Sequence, residues 1–178
     1  MCIGRSIYRE QLGKRFEEKG FQVQLNYQPE RTGDDDPGEV DLICVRDGLV
    51  LVMEIKSIFL RRLQKDDWLH SVTTLRKSGL QPRRKVQAVQ NALTTNSDLA
   101  SMLCIETEVM PLHILGWIVD TSIEHDHERF NGFLKVSLEE LLIALRDDRH
   151  LLNDPDGFSS SRFVAVIESE AVWEESVH

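Results

Sequence analysis

Gly38-Glu39-Val40-Asp41-Leu42-Ile43-Cys44-Val45-Arg46-Asp47-Gly48-Leu49-Val50-Leu51-Val52-Met53-Glu54-Ile55-Lys56-Ser57 is the stretch that decides the fold. Two apolar segments, Glu39 to Arg46 and Leu49 to Ser57, flank Asp47-Gly48, a pair that suits the positive φ angles of a tight hairpin turn. A two-residue turn pairs Arg46 with Leu49, so the numbers of facing residues sum to 95 along the ladder. Asp41 then faces Glu54, and Glu39 faces Lys56. Strand alternation puts all four on one face with Ile43, Val45, Val50 and Val52. Directly opposite side chains have Cβ atoms about 4.5–5.5 Å apart, where like charges destabilise. Something positive therefore belongs between Asp41 and Glu54, and removing one of the two charges should stabilise the protein in the absence of a metal.

Carboxylates on such a face present hard oxygen ligands, which suit Mg²⁺ or Mn²⁺ rather than zinc. Lys56, two residues beyond Glu54, can reach an attacking water or a scissile phosphate. The competing reading is a solvated hairpin face carrying a Glu–Lys pair, against which the flanking valines count.

Working outward, Ile7, Leu12 and Phe16 recur among charged residues from Arg5 to Lys19, and Gly20 follows where a helix would stop. Phe21, Val23, Leu25 and Tyr27 alternate with polar residues as in a half-buried strand. Gln28 to Gly38, with Pro, Gly and consecutive aspartates, reads as a loop. Beyond the hairpin, Val86, Val89, Ala92 and Leu93 have helical spacing from Pro82 to about Thr95. Leu112 to Val119 reads as a strand covered on both faces, and Phe133 to Val136 as a short strand. Ser137 with Glu140 forms a capping box opening a helix Leu138 to Arg146. Phe163 to Ile167 reads as a last strand, followed by a frayed acidic end.

Gly38-Glu39-Val40-Asp41-Leu42-Ile43 followed by Val52-Met53-Glu54-Ile55-Lys56-Ser57 resembles the PD-(D/E)xK nuclease motif, in the flavour of the NERD-like and Holliday-junction-resolvase-like groups. The leading proline of that motif is absent here. The family core is αβββαβ, matching the order of elements read above over about residues 5–120. The expected fold is thus a single α/β domain over 1–178, with a restriction-endonuclease-like core, a mixed central sheet flanked by helices, and C-terminal strand and helix additions over about 121–178. The resemblance implies that Asp41 and Glu54 hold Mg²⁺ or Mn²⁺ together with the Ile55 carbonyl, and that Lys56 orients or activates the attacking water. It also implies an acid from the first helix, Glu10 with Glu17 as substitute, and a supporting glutamine in the later helix, Gln87 rather than Gln90. The implied activity is hydrolysis of phosphodiester bonds.

The chain has 178 residues, of which 41% are hydrophobic and 29% charged, within the range of one folded domain. No apolar run approaches the roughly 18 residues that span a bilayer, and no secretory signal is read at the start. Cys2, Cys44 and Cys104 form no CxxC pair, so a reducing cytoplasm is expected, with Cys44 a small buried hydrophobe. The net charge of -9 is uneven: Arg61 to Lys85 holds eight basic residues against Asp66 and Asp67, giving +6 there and -15 elsewhere. Arg61, Arg62, Lys65, Arg83, Arg84 and Lys85 are the expected phosphate contacts, with Trp68 either stacking on a base or anchoring a loop. The expected partner is nucleic acid, DNA first, with no membrane; a homodimer or a larger complex is compatible. A catalytically silent nucleic-acid-binding or protein-interaction module on the same fold, in a defence or mobile-element system, is the alternative. Glu124-His125-Asp126-His127-Glu128 offers metal-ligand types, although such clusters are more often polar turns.

Overall fold

Helix α1 (Ile3–Glu18) stops where Gly20 takes a φ of +80°, a left-handed conformation that glycine adopts without strain. The Phe21 N–H reaches back to the Phe16 carbonyl at 3.1 Å and the Gly20 N–H to that of Glu17 at 2.9 Å, the paired bonds of a Schellman stop. In this computed structural model the described residues are 3–31, 36–56, 82–95, 98–105, 111–123, 125–146, 153–154 and 157–169. The expected phosphate and base contacts Arg61, Arg62, Lys65 and Trp68 lie outside them, as does Glu124.

Strand β1 (Gln22–Tyr27) pairs antiparallel with β2 (Val40–Arg46), and β2 pairs antiparallel with β3 (Leu49–Lys56). Asp47 and Gly48 have φ of 51° and 76°, as the two-residue turn requires, and the pairing runs from Arg46↔Leu49 to Leu42↔Met53, the expected register. Helix α2 spans residues 82–94 and is followed by the short α3 (Asp98–Met102). Strand β4 (His113–Asp120) returns parallel to β3, with Glu54↔Ile118 and Lys56↔Asp120 in register. Beyond it come β5 (Arg129–Phe130), β6 (Phe133–Ser137), α4 (Leu138–Arg146), the small hairpin β7 (Asn153–Asp154) and β8 (Gly157–Phe158), and α5 (Ser160–Glu168). The six-stranded sheet has the order β1-β2-β3-β4-β6-β5, with β3, β4 and β6 parallel, so it is mixed as expected.

Helices cover both faces of this sheet. Ile43, Val45, Val50 and Val52 pack with Val89 and Leu93 of α2 and Leu99 of α3. Leu42, Cys44, Leu51, Met53 and Ile55 point the other way, against Leu12 and Phe16 of α1, Leu141 and Leu145 of α4, and Phe163 of α5. The alternation of the hairpin thus feeds two cores. Cys44 is fully buried there, and burial pushes its thiol pKa up. Gly116 of β4 lets α2 approach: a Cβ there would sit 2.8 Å from Val86 Cγ2 and 2.6 Å from the Phe133 ring.

Two expectations change. Phe163–Ile167 is not a strand but the middle of α5, whose N-cap Ser159 accepts a hydrogen bond from the Arg162 N–H at 3.3 Å. Its buried residues Phe163, Val164, Val166 and Ile167 follow helical spacing, and burial against α1 and α4 overrides the β preference of valine and isoleucine. Strand β4 is not covered throughout: His113 is exposed and Ile114 to Gly116 are half-buried, while Trp117 to Asp120 are buried. No helix among the described residues is long and apolar enough to cross a membrane.

Candidate active site

The hairpin places Asp41 at the start of β2 and Glu54 near the end of β3, only 1% and 3% exposed. Two charges in so dry a position need partners, because an isolated buried ion is far costlier than a solvated one. Asp41 Oδ2 accepts the Ile55 backbone N–H at 2.8 Å, and its Oδ1 lies 3.1 Å from Arg9 Nη1 on α1. Arg9 also donates to Asn26 Oδ1 and, at 2.7 Å, to Glu39 Oε1. Glu54 is held from two sides. Lys56 Nζ donates to its Oε1 at 2.7 Å, and Lys85 Nζ, from α2, donates to its Oε2. Burial alone would raise the Glu54 pKa, but attraction and hydrogen bonds from Lys56 and Lys85 outweigh it and hold the carboxyl below its ordinary range.

Lys56 thus meets Glu54, and Asp41 is tied to the N–H of the residue between them. The facing geometry is altered at its end: the β2–β3 backbone pairing stops at Leu42↔Met53, and the Asp41 carboxylate takes the Ile55 N–H one step beyond. Glu39 does not meet Lys56; it bonds to Arg9, while Lys56 turns to Glu54.

Glu10 is not brought to the pair. It is exposed on α1 and accepts a hydrogen bond from Ser6 at 3.1 Å, and Glu17 is exposed as well. Arg9, one position earlier, takes the inward place, because positions 9, 12 and 16 share the stripe that carries the buried Leu12 and Phe16. Gln87 is also exposed, donating to Asn91 Oδ1 at 3.0 Å in a cavity of about 980 Å³ that it lines with Tyr27, Arg83, Arg84 and Asp98. Gln90 is exposed too. Lys85 corrects a further expectation. It is 5% exposed and bonded to Glu54, so it cannot serve with Arg83 and Arg84 as a solvent-facing phosphate contact.

Three residues near this site are absent from the sequence expectations for its acids and their partners. Arg9 and Lys85 each lie on the apolar stripe of their helix, and that placement is the signal the sequence offers for them. Asp120, 1% exposed at the end of β4, stands in register with Lys56, and its Oδ1 accepts the Ser122 N–H at 3.3 Å. Its signal is a single acid closing an apolar strand.

The donor chemistry fits a hard divalent cation. Asp41 and Glu54 offer carboxylate oxygens, and the ion pairs to Arg9, Lys56 and Lys85 mark how strongly the two acids call for positive charge.

A second cluster lies at the far side of the sheet. His127 Nε2 is 2.9 and 3.0 Å from the two carboxylate oxygens of Glu140, which is fully buried, and Asp126 completes a group whose ligand atoms lie within 4.8 Å of one another. The buried Lys135 ammonium sits 3.5 Å from Asp126 and donates to the Ser122 carbonyl. Ser137 Oγ accepts the Glu140 N–H at 3.2 Å, the first half of the expected capping box, while the Glu140 carboxylate meets His127.

No protein-family model matches the chain, and no curated protein does. Among solved structures, the chain is similar to the small subunit of the heterodimeric restriction endonuclease R.BspD6I, at 9% identity and a TM-score of 0.48 over 94% of this chain and 80% of that one.

Proposed function

We propose that the chain hydrolyses phosphodiester bonds of nucleic acid, DNA first, in a reaction dependent on Mg²⁺ or Mn²⁺ and centred on Asp41, Glu54 and Lys56. One observation carries this reading: two acids and a lysine converge at the carboxyl end of β3, where it runs parallel to β4, with both acids almost wholly buried. Open α/β sheets bind ligands outside the carboxyl ends of their strands. Buried acids with charged partners in such a place are also candidates for a working site.

Asp41, Glu54 and the Ile55 carbonyl would hold the ion. When bound, it supplies a Lewis acid and makes water a stronger nucleophile near neutral pH. Asp41 is fixed for this by the Ile55 N–H and Arg9, so its orientation is set before substrate arrives. Lys56, only partly buried, carries its ammonium beside Glu54, where it can orient the attacking water or neutralise a phosphate oxygen. Arg83 and Arg84, exposed on the first turn of α2, would take flanking phosphates.

A second reading, a nucleic-acid-binding module without turnover, is favoured by one fact: Arg9, Lys56 and Lys85 already supply the acids with counter-charge. Incubation of the purified protein with single-stranded, duplex and branched substrates, in Mn²⁺, Mg²⁺ or chelator, separates the two. Cleavage in metal alone supports the nuclease. Binding without cleavage in every condition supports the module.

A further inference from the structure

Helix α2 turns one stripe toward the sheet, through Pro82, Lys85, Val89 and Leu93, each of them buried. Three of these are apolar. The fourth carries an ammonium group into a position where it must find an acid, because a buried unpaired cation is strongly destabilising. Lys85 finds Glu54, taking Oε2 while Lys56 takes Oε1. Among the described residues, the ion pairs of this site set Glu39, Asp41 and Glu54 against Arg9, Lys56 and Lys85.

The three cations are not equivalent. Arg9 is tied into a wider network through Asn26 and Glu39, away from Glu54. Lys56 belongs to β3 itself and is partly open to solvent. Lys85 comes from a separate element and commits its ammonium to Oε2 of Glu54, one of the two oxygens that this carboxylate could offer a metal. A dication and an ammonium on the same carboxylate repel one another, and burial of Glu54 and Lys85 weakens solvent screening between them.

We infer that Lys85 is a resident counter-ion of the site: it occupies one of the two Glu54 oxygens that could ligate a divalent ion, so ammonium and ion compete for this carboxylate. Lys85 thereby sets the affinity of the site for its metal. The inference rests on the proposed reading of Asp41 and Glu54 as ligands. It gives a buried lysine on a helix, with no place in the expected motif, a definite role, and it makes neutralising Lys85 a gain rather than a loss for metal binding.

The test is a Mn²⁺ titration of the full chain near neutral pH without nucleic acid, with free ion read by electron paramagnetic resonance. Wild type is compared with Lys85→Met, which keeps the length and apolar stem, with Lys85→Gln as a second neutral side chain, and with Lys85→Arg, which keeps the charge. Asp41→Asn is made in the wild-type and Lys85→Met backgrounds. Two ligands competing for one group are coupled, typically by about 5- to 150-fold. The expected result is Mn²⁺ affinity raised within that range in Lys85→Met and Lys85→Gln, near wild type in Lys85→Arg, and lost with Asp41→Asn. If binding depends on Asp41 but is equal or weaker in the neutral variants, Lys85 is not a competitor and the inference is overturned while the metal site stands. If Asp41→Asn leaves binding unchanged in both backgrounds, the metal site itself is refuted and the inference falls with it.

Discussion

Asp41 is joined to Ile55 across the hairpin: its Oδ2 accepts the Ile55 N–H at 2.8 Å, just past the last backbone pair, Leu42↔Met53. A carboxylate thus finishes a ladder that the backbone leaves open, bonding to the residue of β3 that follows Glu54. With Arg9 on its other oxygen, Asp41 is a stabilised charge.

The sign of one substitution follows. A bare pair of facing acids predicts that Asp41→Asn stabilises the protein in chelator. The hydrogen bond and ion pair of Asp41 predict the opposite, because the variant weakens a charge-assisted hydrogen bond and leaves Arg9, itself largely buried, with less to pair against. A loss of about 1.5–3 kcal/mol is expected. Urea unfolding of wild type and Asp41→Asn in chelator measures it, and a more stable variant would mean that repulsion from Glu54 dominates.

Glu54 gives a pH signature. Its pKa is held below the ordinary value of 4.5 by Lys56 and Lys85 despite burial. A group depressed on folding contributes stability that is fully present above its unfolded pKa and is lost as pH falls through the folded one. The stability difference between wild type and Glu54→Gln should therefore be constant above about pH 5.5 and shrink as pH drops below about 4.5. Unfolding curves from pH 3 to 7 check this. A difference that stays flat, or grows toward acid, would speak against the depressed pKa.

The hairpin, its register and the αβββαβ order are legible in the sequence because they rest on local rules: Asp47-Gly48 sets the turn, period two sets the faces, and the chain between β3 and β4 is long enough for a crossover helix. The set Asp41, Glu54 and Lys56 is legible for the same reason. Charges delivered from other elements are not. Arg9 and Lys85 look like surface residues when each cation is taken by itself, since a cation on a helix is usually solvated, and only their place on the apolar stripes of α1 and α2 turns them to the sheet. Position relative to the helix end favours Glu10, but the apolar stripe through Leu12 and Phe16 turns Arg9 inward instead. Phe163–Ile167 reads as a strand because β-branched residues dominate a segment too short to separate the two periods.

At the other end of the sheet, His127 and Glu140 fasten the 125–127 turn to α4. His127→Ala strips a fully buried carboxylate of its imidazole partner, and a loss of about 1–3 kcal/mol is expected, as for a buried acceptor deprived of a hydrogen bond. The double variant His127→Ala, Glu140→Gln should recover part of it. Thermal unfolding of wild type, both single variants and the double variant completes the cycle, and a loss under about 0.5 kcal/mol in His127→Ala would place this pair among solvated surface interactions.

Arg83 and Arg84 are exposed where Lys85 is not. Replacing both by alanine should weaken binding to duplex DNA across sequences and flatten the plot of log affinity against log salt by about 0.9 for each phosphate no longer neutralised. Fluorescence anisotropy over a salt series reads the slope directly. An unchanged slope would remove the first turn of α2 from the nucleic-acid surface.

If Lys56 acts on the reacting phosphodiester while Asp41 and Glu54 hold the ion, its removal must slow the chemical step itself. Single-turnover cleavage of an end-labelled substrate in millimolar Mn²⁺, comparing wild type with Lys56→Ala at matched binding, isolates that step. Loss of a group that positions water or neutralises charge should slow cleavage at least about a hundredfold, with substrate affinity largely kept. Cleavage by Lys56→Ala at the wild-type rate would refute the role assigned to Lys56 and, with it, the proposed catalytic centre.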